Sequence, residues 1–411
     1  MNQGILRNYA DLFVQSGGNV QKGQVVVINA DLEAAEFARL VQESAYDAGA
    51  SDVAILWRDA ASTRVRYLRA VDEVFDDFPD WMVDRFKYFD DKGAVYLHII
   101  SDDPDLLNGV DTDRLRRFNK ISREKTKEHQ ALTMSNKLRW TICAVPSPAW
   151  AKKVFPDLPE EEAVKSLWEL FIKASRADGE NPVEDWKIHR ASFVAHVDYL
   201  NKQQFDKLRF KNSLGTDLTL GMPKNHIWKG GGSVDKDGIA FHPNIPTEEI
   251  YSAPDRARAE GRVVASMPLS YQGSLIDGID LTFKNGEVVE FKASSNQAVL
   301  ANIIEMDEGS RRLGEVALVP ISSPINKMKT LFFNTLYDEN ASCHLALGKG
   351  YPNSIVGGAD LSADELIERG VNHSLLHVDF MFGTEDMSIV GIYEDGREVV
   401  IFENGEYVTN Y

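Results

Sequence analysis

The chain has 411 residues, of which 43% are hydrophobic and 26% are charged, a composition typical of a soluble globular protein with a sizeable core. At about 150 residues per domain, two or three domains are expected. Its 63 acidic and 45 basic residues give a formal net charge of −18, which repels phosphate backbones and anionic lipids and argues against nucleic-acid and membrane-surface binding.

Cysteine usage and the lack of long apolar segments favour a cytoplasmic protein. Cys143 and Cys343 are the only cysteines, which excludes a disulfide framework and a zinc site made of cysteines alone. Residues 1–7 lack the apolar core of a signal peptide. No window approaches the roughly 18 consecutive apolar residues of a membrane-spanning helix.

The first half of the chain alternates the patterns of strands and helices. Residues 25–30 and 53–57 are short apolar runs that are typical of fully buried strands. Between them, apolar residues recur at helical spacing from Ala34 to Ala45, and Gly49 offers a stop. Two buried strands joined by an amphipathic helix form a βαβ unit, so a parallel sheet is expected.

Two further strands, at residues 94–100 and 140–145, complete the prediction of an open, mostly parallel sheet in the first half. The segment 160–206 is then helical, apart from a polar loop at residues 178–182. We therefore predict an α/β domain over residues 1–206.

Antiparallel hairpins dominate the prediction for the second half. Residues 208–220 favour a hairpin, and three dipeptides between alternating strands are good hairpin signals: Asn285-Gly286, Asp395-Gly396 and Asn404-Gly405. The glycine run at residues 230–232 could line a site, but a flexible loop is the favoured interpretation. We predict an α+β domain over residues 207–411, which carries the metal site considered next.

One polar pair in this half faces a predicted apolar interior. If residues 375–382 form a strand, His377 and Asp379 share one face, while Val378 and Phe380 pack on the other. Unpaired burial of polar groups costs several kcal/mol, so the pair needs a partner, which a cation can supply. A simple hydrogen-bonded pair explains the same pattern.

Three other segments offer carboxylates or imidazoles beside a turn or a strand end. The glutamates at residues 248–249 follow an extended stretch, Glu315 opens a predicted buried strand, and Glu339 and His344 lie five residues apart. Each has an ordinary explanation when taken alone: surface charge, neutralisation by the arginines at residues 311–312, and a core histidine.

Together, these segments resemble in order and spacing the aminopeptidase T and aminopeptidase S family of dinuclear metalloaminopeptidases. The four segments are Pro-Thr-Glu-Glu-Ile-Tyr-Ser-Ala-Pro (246–254), Arg-Arg-Leu-Gly-Glu-Val-Ala-Leu-Val (311–319), Glu-Asn-Ala-Ser-Cys-His-Leu-Ala-Leu-Gly (339–348) and His-Val-Asp-Phe-Met (377–381). The resemblance covers essentially the whole chain. The family commonly has Phe-Thr where this chain has Tyr251-Ser252, a departure that leaves the predicted ligands unchanged.

The resemblance implies an enzyme that releases N-terminal amino acids from short peptides, with two divalent metal ions per chain. The family's metal ligands fall, residue by residue, on Glu249, Glu315, His344, His377 and Asp379, with Glu339 as a further carboxylate at or beside the metals. Mixed oxygen and nitrogen ligands suit Zn, Co, Mn or Mg and do not choose among them.

Two further residues receive roles as hypotheses. Tyr351 falls on a tyrosine that the family keeps beside the metals, and we interpret it as a hydrogen-bond donor to the developing oxyanion, an interaction worth about 3 kcal/mol. Glu248 is a candidate general base for a metal-activated water, since adjacent glutamates can divide the tasks of ligand and base. A solvated or outer-shell glutamate is the alternative for Glu248.

The resemblance also implies a homodimer with an enclosed active-site space. Two alternative functions stay open: a catalytically inactive, metal-stabilised peptide-binding protein and a dinuclear metallo-phosphoesterase. The intact ligand positions argue against the first alternative. Apart from Arg311-Arg312, no Arg/Lys-rich motif offers a phosphate clamp, which argues against the second.

Overall fold

The computed structural model describes residues 1–408, and the chain divides into two compact units. The first unit contains Met1–Ile188 and Gly232–Pro246, and the second contains His189–Gly231 and the described residues from Thr247 to residue 408. The division differs from the predicted boundary between residues 206 and 207, because one long helix runs through residue 188 and because residues 232–246 return to the first unit. That residues 1–206 and 207–411 form two separate domains stays a prediction.

The α-helices have the following bounds: α1 (Gln3–Leu12), α2 (Ala35–Asp47), α3 (Ala60–Arg69), α4 (Asp80–Asp90), α5 (Thr112–Lys125), α6 (Lys127–Met134), α7 (Pro148–Val154), α8 (Glu160–Ala174), α9 (Pro182–Gln203), α10 (Gln297–Ile304), α11 (Pro324–Lys327), α12 (Thr335–Asp338) and α13 (Ala363–Glu368). In the described part of the chain, no helix combines the length and the apolar character needed to cross a bilayer.

The strands have the following bounds: β1 (Val25–Asp31), β2 (Asp52–Arg58), β3 (Val95–Ile100), β4 (Trp140–Ala144), β5 (Lys207–Lys211), β6 (Asp217–Gly221), β7 (Lys229–Gly230), β8 (Ser233–Val234), β9 (Ala240–Phe241), β10 (Ile250–Ser252), β11 (Ala259–Val264), β12 (Leu269–Tyr271), β13 (Ser274–Ile276), β14 (Asp280–Lys284), β15 (Glu287–Lys292), β16 (Leu313–Leu318), β17 (His344–Gly348), β18 (His377–Met381), β19 (Ser388–Ile392), β20 (Glu398–Glu403) and β21 (Glu406–Tyr407).

A four-stranded parallel sheet in the order β2-β1-β3-β4 forms the centre of the first unit, as the βαβ pattern predicts. The apolar stripe of α2, with Phe37, Val41 and Ala45, packs in the same core as Val26 of β1. Strand β2 lies at the sheet edge, so the prediction that it is fully buried is wrong. Its Trp57 is 41% exposed, because an edge strand has a neighbour on one side only.

Two large antiparallel sheets and the two-stranded sheet β12–β13 build the second unit, which confirms its predicted α+β class. The larger has the order β15-β14-β11-β6-β5-β19-β20-β21, and the smaller has the order β18-β17-β16-β10-β7. All four predicted hairpins are present, as β5–β6, β14–β15, β19–β20 and β20–β21. Positive φ angles at the Asn-Gly turns of residues 285–286 and 404–405 explain the choice of those residue types.

The two faces of the five-stranded sheet differ in chemistry. One face is apolar and belongs to the main core of this unit, with Val316, Leu318, Leu345, Val378 and Phe380 among its members. The alternating residues of the same strands point to the opposite face. That opposite face carries the candidate ligands.

Candidate metal centre

The five-stranded sheet brings together candidate ligands that are scattered from residue 249 to residue 379. Glu315 lies in β16, His344 begins β17, His377 and Asp379 lie in β18, and Glu249 immediately precedes β10. Since β10, β16, β17 and β18 are consecutive neighbours in the sheet, all five side chains fall on adjacent strands.

Small residues make room between the ligands. Ala346 of β17 pairs in register with Glu315 on one side and with Asp379 on the other, so the two carboxylates flank a methyl group. Beside Glu315, a Cβ atom at Gly314 would lie 2.4 Å from the carbonyl oxygen of Gly348. A glycine is therefore required where β16 departs from regular pairing with β17.

The ligand atoms converge in two groups that share Glu315, namely Glu249, Glu315 and His344 in one and Glu315, His377 and Asp379 in the other. His344 Nε2 lies 3.1 Å from Glu249 Oε2 and 3.5 Å from Glu315 Oε1. His377 Nε2 lies 3.3 Å from Asp379 Oδ1 and 3.7 Å from Glu315 Oε2. Each oxygen of the Glu315 carboxylate thus approaches a different imidazole.

These residues fit divalent metal ions. Among the described residues, Glu315 Oε2, His344 Nε2 and Asp379 Oδ1 are buried atoms without a hydrogen-bond partner, although each lies within 3.7 Å of another candidate ligand atom. Two ligand atoms that bind one zinc ion at 2.0–2.2 Å in tetrahedral geometry are about 3.4 Å apart, which matches the separations above. The donor set of carboxylates and imidazoles suits divalent cations.

Backbone carbonyl groups orient both imidazoles. His344 Nδ1 lies 3.3 Å from the carbonyl oxygen of Ser342, and His377 Nδ1 lies 2.7 Å from that of Lys349. A carbonyl oxygen only accepts hydrogen bonds, so each Nδ1 carries a proton, and each ring can offer its Nε2 lone pair to a metal once Nε2 has no proton. Such outer partners fix the tautomer of metal-binding histidines in general.

Without a cation, the pKa values of the cluster depart from their usual ranges. Burial, partly offset by the neighbouring His344 imidazole, raises the pKa of Glu315 to about 7. Burial lowers the pKa of His377, but the carboxylates of Asp379 and Glu315 and the carbonyl of Lys349 together raise it to about 9. Burial also opposes protonation of His344, yet Glu249 and Glu315 raise its pKa well above the usual range. The cluster therefore needs positive charge.

Glu339 and Tyr351 lie beside these ligands. Glu339 is partly buried and outside both converging groups, while burial and then the Glu249 carboxylate raise its pKa well above the usual range. The ring of Tyr351 lies 5.2 Å from that of His377. Burial and then the Glu315 carboxylate raise the pKa of Tyr351, so its hydroxyl keeps the proton it would donate.

Neutralisation by Arg311 or Arg312, the ordinary explanation for a glutamate at position 315, does not hold. Arg312 pairs with Glu287, and Arg311 lies 3.8 Å from Glu305, so neither arginine neutralises Glu315. Glu248, the candidate general base, is buried, and its Oε1 atom lies 3.7 Å from His189 Nε2.

Sequence reasoning overlooked Tyr251 as part of the site. Its ring lies 5.6 Å from that of Tyr351, and burial and then the Glu315 and Glu249 carboxylates raise its pKa. Strand alternation was the available signal, because residue 251 lies two positions after Glu249 at the start of a strand.

Comparisons with known proteins agree with this chemistry. The model of the family described as thermophilic metalloprotease (M29) matches residues 2–407. Aminopeptidase PepS of Streptococcus thermophilus is 44% identical over 98% of each chain. Aminopeptidase AmpS of Bacillus subtilis is 42% identical, again over 98% of each chain.

A solved structure resembles the chain closely. The wild-type AmpT structure from Thermus thermophilus superposes with a TM-score of 0.92 and 39% sequence identity, covering 98% of this chain and 99% of that one. The α/β region with a parallel sheet and the antiparallel second unit therefore form a fold that has been observed experimentally.

Proposed function

The chain belongs to the M29 family of metalloproteases, which hydrolyse peptide bonds, and we propose that it is an aminopeptidase that uses two metal ions to release N-terminal residues from short peptides. The aminopeptidase names of its relatives support this activity. The observation that carries the proposal is the position of Glu315 in both converging groups of ligand atoms.

The residues of the cluster would hold the two ions as follows. Glu249 and His344 would bind one, His377 and Asp379 would bind the other, and Glu315 would bridge them. When bound, two divalent cations would lower the pKa of a water molecule towards roughly 7 and polarise the substrate carbonyl. With Glu339 included, four carboxylates would balance the four positive charges.

The remaining side chains would position the substrate and move protons. The Tyr351 hydroxyl would donate a hydrogen bond to the oxygen of the peptide carbonyl as negative charge develops there. The free α-amine of the substrate would bind a metal ion or meet an acidic group, which restricts cleavage to the N-terminal residue. Glu248 would accept a proton. On this assignment Glu248→Gln lowers kcat without lowering metal content, and an unchanged kcat would exclude the role.

Hydrolysis of an aminoacyl-nitroanilide before and after chelation tests the proposal. We expect chelation to abolish turnover and re-addition of Zn, Co, Mn or Mg salts to restore it. Persistent turnover in a sample shown by elemental analysis to be metal-free would contradict it. A phosphodiester substrate serves as comparator, and preferential hydrolysis of that substrate would favour the phosphoesterase alternative.

The proposal also includes a cytoplasmic homodimer that acts on short peptides. Sedimentation equilibrium tests the oligomeric state, and a mass near that of one chain would contradict the dimer. Kinetics on peptides of increasing length test the size limit, since an enclosed site predicts a sharp fall in kcat/KM beyond a few residues.

A further inference from the structure

Strand β7 extends the metal-facing side of the five-stranded sheet by one strand and places a lysine there. Lys229 pairs in register with Tyr251 of β10, which pairs through β16 with His344 of β17. Residues directly opposite each other in antiparallel strands present their side chains on one face. Gly230 permits this approach, because a Cβ atom there would lie 2.8 Å from the carbonyl oxygen of Glu249.

The ammonium group of Lys229 lacks an anion. The residue is partly buried, and within residues 1–408 its ammonium makes no ion pair or hydrogen bond. Burial alone lowers the pKa of Lys229, so no carboxylate compensates for the lost hydration. By comparison, the nearby Lys224 is 91% exposed and lies 3.8 Å from Glu394. A partly desolvated cation on a ligand-binding face is suited to bind an anionic group of the substrate.

The separation between Lys229 and the metal ligands fits a small peptide. Neighbouring strands lie about 4.8 Å apart, so β7 and the Glu315 strand β16, which are two strands apart, are separated by about 10 Å. An extended chain of two or three residues spans at most about 7–11 Å. A peptide of that length can therefore reach from the ligand cluster to Lys229.

We propose that Lys229 binds the C-terminal carboxylate of a di- or tripeptide whose N-terminal residue is held at the metal ligands. This inference rests on the proposed aminopeptidase function and names the substrate class of the same site. Lys229 would thus favour di- and tripeptides with a free C-terminal carboxylate over longer peptides. Only a short peptide can place its N-terminus at the metal ligands and its C-terminus at Lys229.

The test compares kcat/KM for Leu-Gly and for its C-terminal amide in the wild type and in Lys229→Met. Methionine keeps the linear apolar stem and removes the charge. We expect the wild type to prefer the free acid by about ten- to one-hundredfold, as for a charge-assisted hydrogen bond, and we expect the ratio to approach one in Lys229→Met. Using a ratio within each variant cancels any general loss of activity.

Two variants serve as controls. Lys224→Met removes a lysine charge from the exposed surface and should keep the wild-type ratio, while Lys229→Arg should retain most of the preference. A wild-type ratio in Lys229→Met would overturn the role of Lys229 even if both substrates are hydrolysed. Failure of the metal-loaded wild type to hydrolyse either substrate would instead overturn the proposed function, and this inference with it.

Discussion

Each unit of the molecule contains a sheet that withdraws a carboxylate from solvent, and the two carboxylates have different surroundings. Asp31 ends β1 in the first unit and is 6% exposed, while Glu315 in β16 of the second unit is 4% exposed. The guanidinium of Arg58 donates two hydrogen bonds of 3.1 Å to Asp31, and the backbone of Ser101 donates a third of 3.0 Å.

Glu315 has no such internal cation. Within residues 1–408 its ion-pair neighbours are the imidazoles of His344 and His377, and the carboxylates of Glu249 and Asp379 add further negative charge. Burial alone therefore does not identify a ligand site. What distinguishes the second sheet is that its buried carboxylates lack a permanent positive partner, which an exogenous cation can supply.

Glu315→Gln should have the largest effect. We expect kcat/KM for an aminoacyl-nitroanilide to fall by at least about 10³-fold, since even residues that only orient metal ligands are worth 10–100-fold. Folding should persist, and the metal-free variant should be at least as stable as the metal-free wild type, because a repulsive charge is removed. Elemental analysis and thermal unfolding measure the two effects, and full activity would exclude the bridging role.

Tyr351→Phe tests a group that lies at the site without belonging to either ligand group. Removing an oxyanion donor costs about 10²–10³-fold in kcat, and we expect a loss at the lower end because the ring remains in place. Metal content and KM should change little. An unchanged kcat would show that the hydroxyl contributes nothing to the transition state.

Asp31→Asn should have effects opposite to those expected for Glu315→Gln: a loss of stability without a loss of activity. We expect the free energy of unfolding to fall by about 2 kcal/mol, because a buried charge-assisted set of hydrogen bonds is lost and Arg58 is left without its partner. The activity of the folded fraction and its metal content should match the wild type. Urea unfolding measures the free energy of unfolding. A loss of metal from the folded Asp31→Asn protein would contradict the proposed difference between Asp31 and Glu315.

Local sequence patterns were sufficient for much of the fold. The β-branched run at residues 25–30 and the helical spacing after it predict a parallel sheet, and Asn-Gly turns locate hairpins, because these signals depend on neighbours in the chain. The edge position of β2 and the pairing of β10 with β16 depend on contacts between distant residues. Periodicity within one segment does not determine such contacts.

The candidate site was also predictable only where local sequence patterns determine it. Alternation predicts that His377 and Asp379 share a face, and the family resemblance supplies the complete ligand set. The sharing of Glu315 between two groups follows from the pairing of four neighbouring strands, β10, β16, β17 and β18, which no local motif encodes. Lys229 was overlooked because the following glycines favour a flexible loop, whereas Gly230 in fact belongs to an edge strand.

The smallest expected effect is the number of protons released when the chain binds metal. This number also distinguishes the sheet that contains Glu315 from the sheet that contains Asp31. A ligand must lose its proton to bind a metal, and the metal-free His377 and Glu315 have pKa values raised to about 9 and about 7. A raised pKa means that these groups hold protons below those pH values. His344 also has a raised pKa, so metal uptake near pH 7.5 should release about two protons per chain, and the apparent metal affinity should fall as pH falls from 9 towards 7.

Isothermal titration calorimetry in two buffers of different ionisation enthalpy measures the proton release. The decrease in affinity should approach about tenfold per pH unit for each proton released. Asp31→Asn should give the same proton count as the wild type, since Asp31 already has an internal cation, whereas His377→Gln should release fewer protons. Metal binding without proton release in the wild type would mean that the second sheet already balances its buried charges, as the first sheet does.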